Sequence, residues 1–225
     1  MKHCITIMAA LLLIASEAFA QYEPTSTWPY VYKEFTEGEL QMTVGRPKKA
    51  QFNIHVGKGR LHFIDGSYIC EASSADVYSV RIGTDYYVNA RGVMMKVLAK
   101  SVKSVIGEEA VVDHVRLNAT GGAYGSSSST LSTTALSAIE QTMAGGRTEL
   151  TRLVSSREDG QVLPLVRKKY IVIKGNVIFA SKKDVLETFP DLKDEITSYL
   201  KKSKTKWNDA NSLLRLSDHI LEILN

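Results

Sequence analysis

The chain holds five histidines and two cysteines, the side chains to weigh first for catalysis or metal binding. His55 and His62 lie in the segment QFNIHVGKGRLHFI, residues 51–64. If that segment is a β-hairpin turning at Gly57-Lys58, with glycine taking the positive φ of a type II′ turn, both imidazoles share its polar face. They are then diagonal rather than opposed, with Cβ atoms roughly 7 Å apart. A metal held between them needs further ligands, and no cluster of Cys, His or acidic residues adjoins them. The expectation is two solvated histidines on a sheet face. Asp113-His114 falls in valine-rich, strand-like sequence, where neighbours point to opposite faces and so cannot orient one another. Asp218-His219 sits on the polar side of a helical pattern and reads as solvated surface. Cys70, in Tyr68-Ile69-Cys70, reads as a small buried hydrophobe. There is no G-x-S-x-G elbow and no H-E-x-x-H pair. Residues 121–126 (GGAYGS) lack the Gly-Lys-Ser/Thr that cradles phosphates. The sequence thus nominates no catalytic residue, no metal set and no cofactor.

Aromatic residues supply the other candidates. Residues 21–37 (QYEPTSTWPYVYKEFTE) carry two prolines and five aromatics and read as an extended arm. Trp28, Tyr30 and Tyr32, with His55 and His62 of the hairpin, are the candidate ligand-binding residues, suited to a carbohydrate or a partner surface.

The elements that must position these side chains follow from hydrophobic periodicity. In the hairpin register, Val56 faces Gly59, Ile54 faces Leu61 and Phe52 faces Phe63, so every apolar residue falls on one face. Asn53, His55, Arg60 and His62 fall on the other, and a one-residue slip destroys the match. Asp65-Gly66 supplies the next turn. Tyr78, Val80 and Ile82 alternate onto one side of a further strand. Residues 93–105 and 110–117 read as two strands about a Gly107 turn, with a helix as the competing reading of 93–105. Residues 118–134 (NATGGAYGSSSSTLSTT) form a Gly/Ser/Thr loop, and Leu131, Leu136, Ile139 and Met143 follow helical spacing. Val162 to Val166 is strand-like, and Tyr170 to Ala180 reads as a hairpin about Gly175-Asn176. Ser181 to Asp184 is a capping box that opens a helix stopped by Pro190. Leu192, Ile196, Tyr199 and Leu200 form the next helical stripe. Leu213, Leu216, Ile220, Ile223 and Leu224 form the last, opposite Arg215, Asp218, His219 and Glu222. The fold class is α+β: an antiparallel sheet, curved or part-barrel, over residues 38–180, then two or three C-terminal helices over 181–225.

The first residues set the expected compartment. Lys2 and His3 precede an apolar stretch from Ile5 to Ala15, too short for the ~20 residues of a spanning helix. Ala18-Phe19-Ala20 follows, an A-x-A site for signal peptidase. Residues 1–20 are therefore expected to be a cleaved signal peptide, leaving Cys70 as the lone cysteine and no internal disulfide. Formal net charge is +4, a mild bias that does not suggest nucleic-acid binding. No other segment is apolar enough to make an integral membrane protein.

Two stretches, FNIHVGKGRLHFIDG (52–66) and KKDVLETFPDLKDEITSYLKKSKTKW (182–207), give the chain its likeness. It resembles uncharacterised exported proteins of the Bacteroidetes. That resemblance implies a Gram-negative envelope and carries over no catalytic residue. The expected role is a non-enzymatic, periplasmic or secreted protein that binds an envelope protein, glycan or lipid, the last four lysines before Trp207 being one anionic-contact candidate. A small envelope hydrolase without a recognisable motif and a carrier of lipid or apolar ligand are the alternatives. N-terminal sequencing of the purified native protein is expected to begin at Gln21. An intact Met1 on cytosolic protein would remove the export reading.

Overall fold

The computed structural model describes residues 29–113, 147–149 and 164–224. Trp28, His114, the leader, the Gly/Ser/Thr segment 118–134 and the helical spacing at 131–143 lie outside them.

The strands are β1 (Thr36–Met42), β2 (Lys48–His55), β3 (Arg60–Asp65), β4 (Tyr68–Glu71), β5 (Val77–Ile82), β6 (Asp85–Ala90), β7 (Val93–Lys100), β8 (Ser104–Val112), β9 (Arg147–Glu149), β10 (Leu165–Ile173) and β11 (Asn176–Phe179). They form one antiparallel sheet in the order β11-β10-β8-β7-β6-β5-β1-β2-β3-β4-β9. Two meanders thus meet where β1 pairs with β5. The sheet curls without closing into a barrel. Its curl brings the β2–β3 turn onto β7, where the Met94 amide donates to the Gly59 carbonyl at 2.7 Å. Three helices follow: α1 (Lys182–Thr188), α2 (Lys193–Ser203) and α3 (Ala210–Ile223), with a 3₁₀ turn at Pro190–Leu192 between the first two. The α+β architecture expected from the sequence is the one observed. No helix of the described residues is long and apolar enough to cross a membrane.

The hairpin register is as the alternation requires: Phe52 pairs with Phe63, Ile54 with Leu61 and Asn53 with His62. Its turn differs, because positive φ falls on Gly59 (59°) and not on Gly57. Gly59 lies against Val93, so a Cβ there would sit 2.7 Å from the Val93 side chain. Three other local readings are corrected. Gly107 is no turn but lies within β8 opposite Val97. The turn is at 101–103, and residues 93–100 are strand, not helix. Glycine is needed in β8 because an added Cβ would approach the Met95 Cβ to 2.9 Å. Tyr78 leaves the Val80/Ile82 face, since a bulge between Gln41 and Met42 shifts the β1–β5 register. Tyr78 is exposed while Val77 and Val80 are buried. Finally, the β10–β11 turn is Lys174-Gly175, both at positive φ, one residue before the Gly-Asn pair, and Ile173 faces Asn176.

One concave face carries both main apolar clusters. Leu40, Phe52, Ile54, Leu61, Val80, Ile82, Tyr87 and Met94 pack inside the curl. Ile106, Ile171, Ile173 and Ile178 lie under the helices, against Val185, Ile196, Leu213, Leu216 and Ile220. The first helix starts where the sequence indicates. Ser181 caps α1 by accepting from the Asp184 amide, and Asp209 caps α3 by accepting from the Ser212 amide at 2.6 Å. Such caps satisfy amides that have no intrahelical partner. Leu216 is fully buried between α3 and the sheet. Truncating a buried leucine removes its transfer energy and leaves a cavity. Leu216→Ala is expected to lower stability by about 3 kcal/mol in urea unfolding; a loss below about 1 kcal/mol would mean that α3 is not docked as described.

Candidate functional site

The polar face of the β2–β3 hairpin is not solvated. Asn53, His55 and His62 are 0%, 3% and 1% exposed, because the chain just before β1 folds across them. This corrects the expectation of two surface histidines. The cover is the aromatic arm itself. Val31 donates its amide to the Ile54 carbonyl at 3.0 Å, and the Val56 amide donates to the Pro29 carbonyl at 2.9 Å. Asn53 secures it further. Its Oδ1 accepts from the Tyr32 amide at 3.0 Å, and its Nδ2 donates to the carbonyls of Tyr32 at 2.9 Å and Glu34 at 3.2 Å.

Tyr30 is the centre of this cover and is fully buried. Its ring stands edge-on to Phe35, His55 and His62, with centroids 5.0, 5.5 and 5.5 Å away. The histidines are diagonal, as the register demands, and their rings stack at 5.1 Å and 24°. Burial pushes the Tyr30 phenol well above its ordinary range, and its hydroxyl is hydrogen-bonded to His62 Nδ1 at 2.8 Å, with the donor set by the imidazole tautomer. His62 Nε2 lies 3.5 Å from the Glu71 carboxylate. His55 Nδ1 accepts from the Gly57 amide at 3.3 Å. Its buried Nε2 has no hydrogen-bond partner among the described residues. Burial lowers His62 to about 4. Burial, then the charges of a protonated His62 and of Lys58, lower His55 to about 3. Both imidazoles are neutral at pH 7.

Tyr32 reaches the concave side. Its hydroxyl donates to Asp85 at 2.7 Å and lies 2.7 Å from the Tyr87 hydroxyl, and Lys96 bonds the other Asp85 oxygen at 2.8 Å. Burial alone would raise Asp85, but hydrogen bonds from Lys96 and Tyr32 hold it below the usual carboxylate range. Burial raises Tyr87 to about 12. Tyr32 therefore fastens the arm to β6 while Tyr30 fastens it to β2 and β3. Of the five candidate binding residues, the structure joins Tyr30, His55 and His62 in one buried layer and puts Tyr32 in a second network. Trp28 lies outside the described residues.

An open feature lies elsewhere among the described residues. A cleft of about 350 Å³ lies between β1–β4 and the crossover 72–77. Leu40, Phe52, Ala72 and Val77 are buried in its walls, joined by Met42, Ala50 and Phe63. Lys48, Lys49, Asp65, Glu71, Ser73 and Asp76 line it too and are exposed. The cleft opens toward the start of β2, and Glu71 at its rim is also the carboxylate 3.5 Å from His62 beneath the arm. Of its apolar wall, alternation indicates only Phe52 and Phe63, and the crossover that makes the wall concave has no periodic signal.

Among the described residues no three His, Cys, Asp or Glu side chains are placed to hold a metal ion, and Cys70 is buried and unpaired. Asp218, expected at the surface, lies at a seam: Ser101 donates to it at 2.7 Å and Ser104 at 3.3 Å, while the Ser104 and Ser217 hydroxyls are 2.8 Å apart. This seam holds α3 on the β7–β8 turn. His219 stacks on Tyr199 at 4.1 Å and is not in it. Three comparisons frame the site: no protein-family model, no curated protein and no solved structure matches this chain.

Removing the Asn53 amide takes away its three hydrogen bonds to the backbone of Tyr32 and Glu34, each with a net value of about 1 kcal/mol. Asn53→Ala is expected to destabilise by about 2–4 kcal/mol and to raise amide exchange at Val31 and Tyr32. Unchanged exchange there would show that the arm does not depend on this clamp.

Proposed function

We propose that this protein is a non-enzymatic binding protein of the cell envelope, and that its cleft takes a small apolar or amphipathic molecule. The single observation that carries the reading is the cleft's composition. Its walls are Leu40, Met42, Ala50, Phe52, Phe63, Ala72 and Val77, and its charged residues are at the exposed rim. Such a division seats an apolar body in the cleft and leaves a polar end in water, the usual make-up of small-molecule sites. The rim is mixed in sign, two lysines against three carboxylates, so ligand charge is not the main selector. Binding is favoured over hydrolysis because the lining offers Ser73 beside Asp65, Glu71 and Asp76 but no histidine to activate it. Export rests on the basic start, short apolar stretch and Ala18-Phe19-Ala20 site of the N-terminus.

The volume limits the ligand. At about 30 Å³ per water-sized group, the cleft holds about a dozen non-hydrogen atoms. Burying that many at about 0.8 kcal/mol each contributes roughly 10 kcal/mol. Association costs at least about 4 kcal/mol, so the tightest dissociation constant is on the order of tens of micromolar. The neutral fluorophore 1-aminonaphthalene is expected to bind with such an affinity. Ala50→Trp, which fills the cleft, should weaken binding at least about tenfold (roughly 1.4 kcal/mol) while leaving the urea midpoint near that of wild type. Absence of binding by the wild type, or undiminished binding by the variant, would overturn this reading.

A further inference from the structure

We propose that the arm over the β2–β3 hairpin is an acid-released latch, in which the stacked, buried pair His55 and His62 holds the arm closed only while both imidazoles are neutral. This inference is independent of the cleft. It rests on the layer beneath Tyr30, where two ionisable rings 5.1 Å apart share one dry compartment and the compartment's lid is a single run of chain.

The groups facing the pair explain why a proton is not tolerated there. From the arm come the Tyr30 hydroxyl and the Phe35 ring, neither of which neutralises charge. From the β2–β3 turn comes Lys58, whose positive charge opposes protonation of His55. On β3 the Arg60 chain position pairs with His55, with its guanidinium turned to the Gly92 carbonyl at 2.8 Å. From β4 comes Glu71, whose carboxylate is 3.5 Å from His62 Nε2, acts on Tyr30 as well and is itself partly in solvent. Among the described residues His55 has no such carboxylate partner, and its Nε2 has no hydrogen-bond partner. A second proton on that ring must be placed on Nδ1, which now accepts the Gly57 amide, so protonation breaks the ring's one hydrogen bond. His62 Nδ1 is held against the Tyr30 hydroxyl at 2.8 Å, a neutral group that does not balance an added charge.

The sign follows from linkage. Lifting the arm returns both rings to water, where they titrate near 6.5, whereas covered they titrate at about 4 and about 3. The released state therefore binds more protons across the window from about pH 6 down to about pH 4, and acid favours it. Two groups that each take up one proton on release give a limiting slope of about 100-fold in the release equilibrium per pH unit. Above about pH 7.5, a unit beyond the ordinary imidazole pKa, the slope vanishes and the latch stays shut. Release uncovers Tyr30 and Phe35 together and withdraws Tyr32 from Asp85, presenting the aromatic arm the sequence marks as a contact segment.

Amide hydrogen exchange on the full mature chain, corrected for intrinsic pH dependence, tests this between pH 6.5 and 4.5. Protection of Val31 and Val56, whose amides form the arm's backbone bonds, is expected to fall steeply, approaching 100-fold per unit in mid-window. Protection of the β8–β10 amides should hold. In His55→Phe, which keeps a ring in the stack and removes the unpartnered Nε2, the limiting slope should drop to about tenfold per unit. A flat profile for the arm would overturn the latch. So would simultaneous loss at β8–β10, which would signal global unfolding, or an undiminished slope in a folded His55→Phe. The wild-type profile alone decides the matter if that variant does not fold.

Discussion

The β2–β3 hairpin is buried on both faces, and the rest of the structure follows from that constraint. An antiparallel sheet usually has one dry and one wet face. Here Phe52, Ile54 and Leu61 enter the concave core, while Asn53, His55 and His62 are covered by the arm. Polar groups taken from water cost free energy unless they find partners. Asn53 finds them in the backbone of Tyr32 and Glu34, which exist as partners only when the arm is down. Arm, hairpin and β1 therefore form one cooperative unit. His55 is the place where satisfaction is incomplete, and where the unit is most easily disturbed.

The concave face has a different organisation at each end. The curl buries β1–β6 against itself, and the helices bury β8, β10 and β11. Between the two dry regions runs a row of charges in register across four strands: Tyr87 beside Lys96, Lys96 beside Glu108, Glu108 beside Lys169. Arg167 bonds Glu108 at 3.1 Å. These pairs are partly solvated, and each contributes at most about 1 kcal/mol. Their opposed signs also disfavour a slipped register, since like charges brought opposite destabilise a sheet. The serine–aspartate seam at Ser101, Ser104, Ser217 and Asp218 does comparable work for α3, fixing its position along the sheet where apolar contacts alone are non-directional.

Local pattern made much of this legible. Period-two alternation fixed the partners of Phe52 and Ile54, because one slip exposes every apolar side chain of the hairpin at once. Ser181 was recognisable as a cap from its spacing to Asp184, and α3 from its stripe, because caps and stripes are satisfied within a few residues. Exact turns were harder. Gly57, Gly59, Gly107, Gly175 and Asn176 all suit turns by type, and the choice among them depended on contacts with Val93 and Met95 from other strands.

Alternation by itself determined that the hairpin has an apolar and a polar face, and that the C-terminal segments are amphipathic helices. Only the tertiary structure decided that the polar face is dry, that Tyr30 is interior, that Asp218 is a fastening and that a cleft opens beside β2. The physical reason is that side-chain periodicity reports how a strand's two faces differ. What lies over each face is set by chain arriving from elsewhere, and nothing in the strand's own residues encodes its arrival.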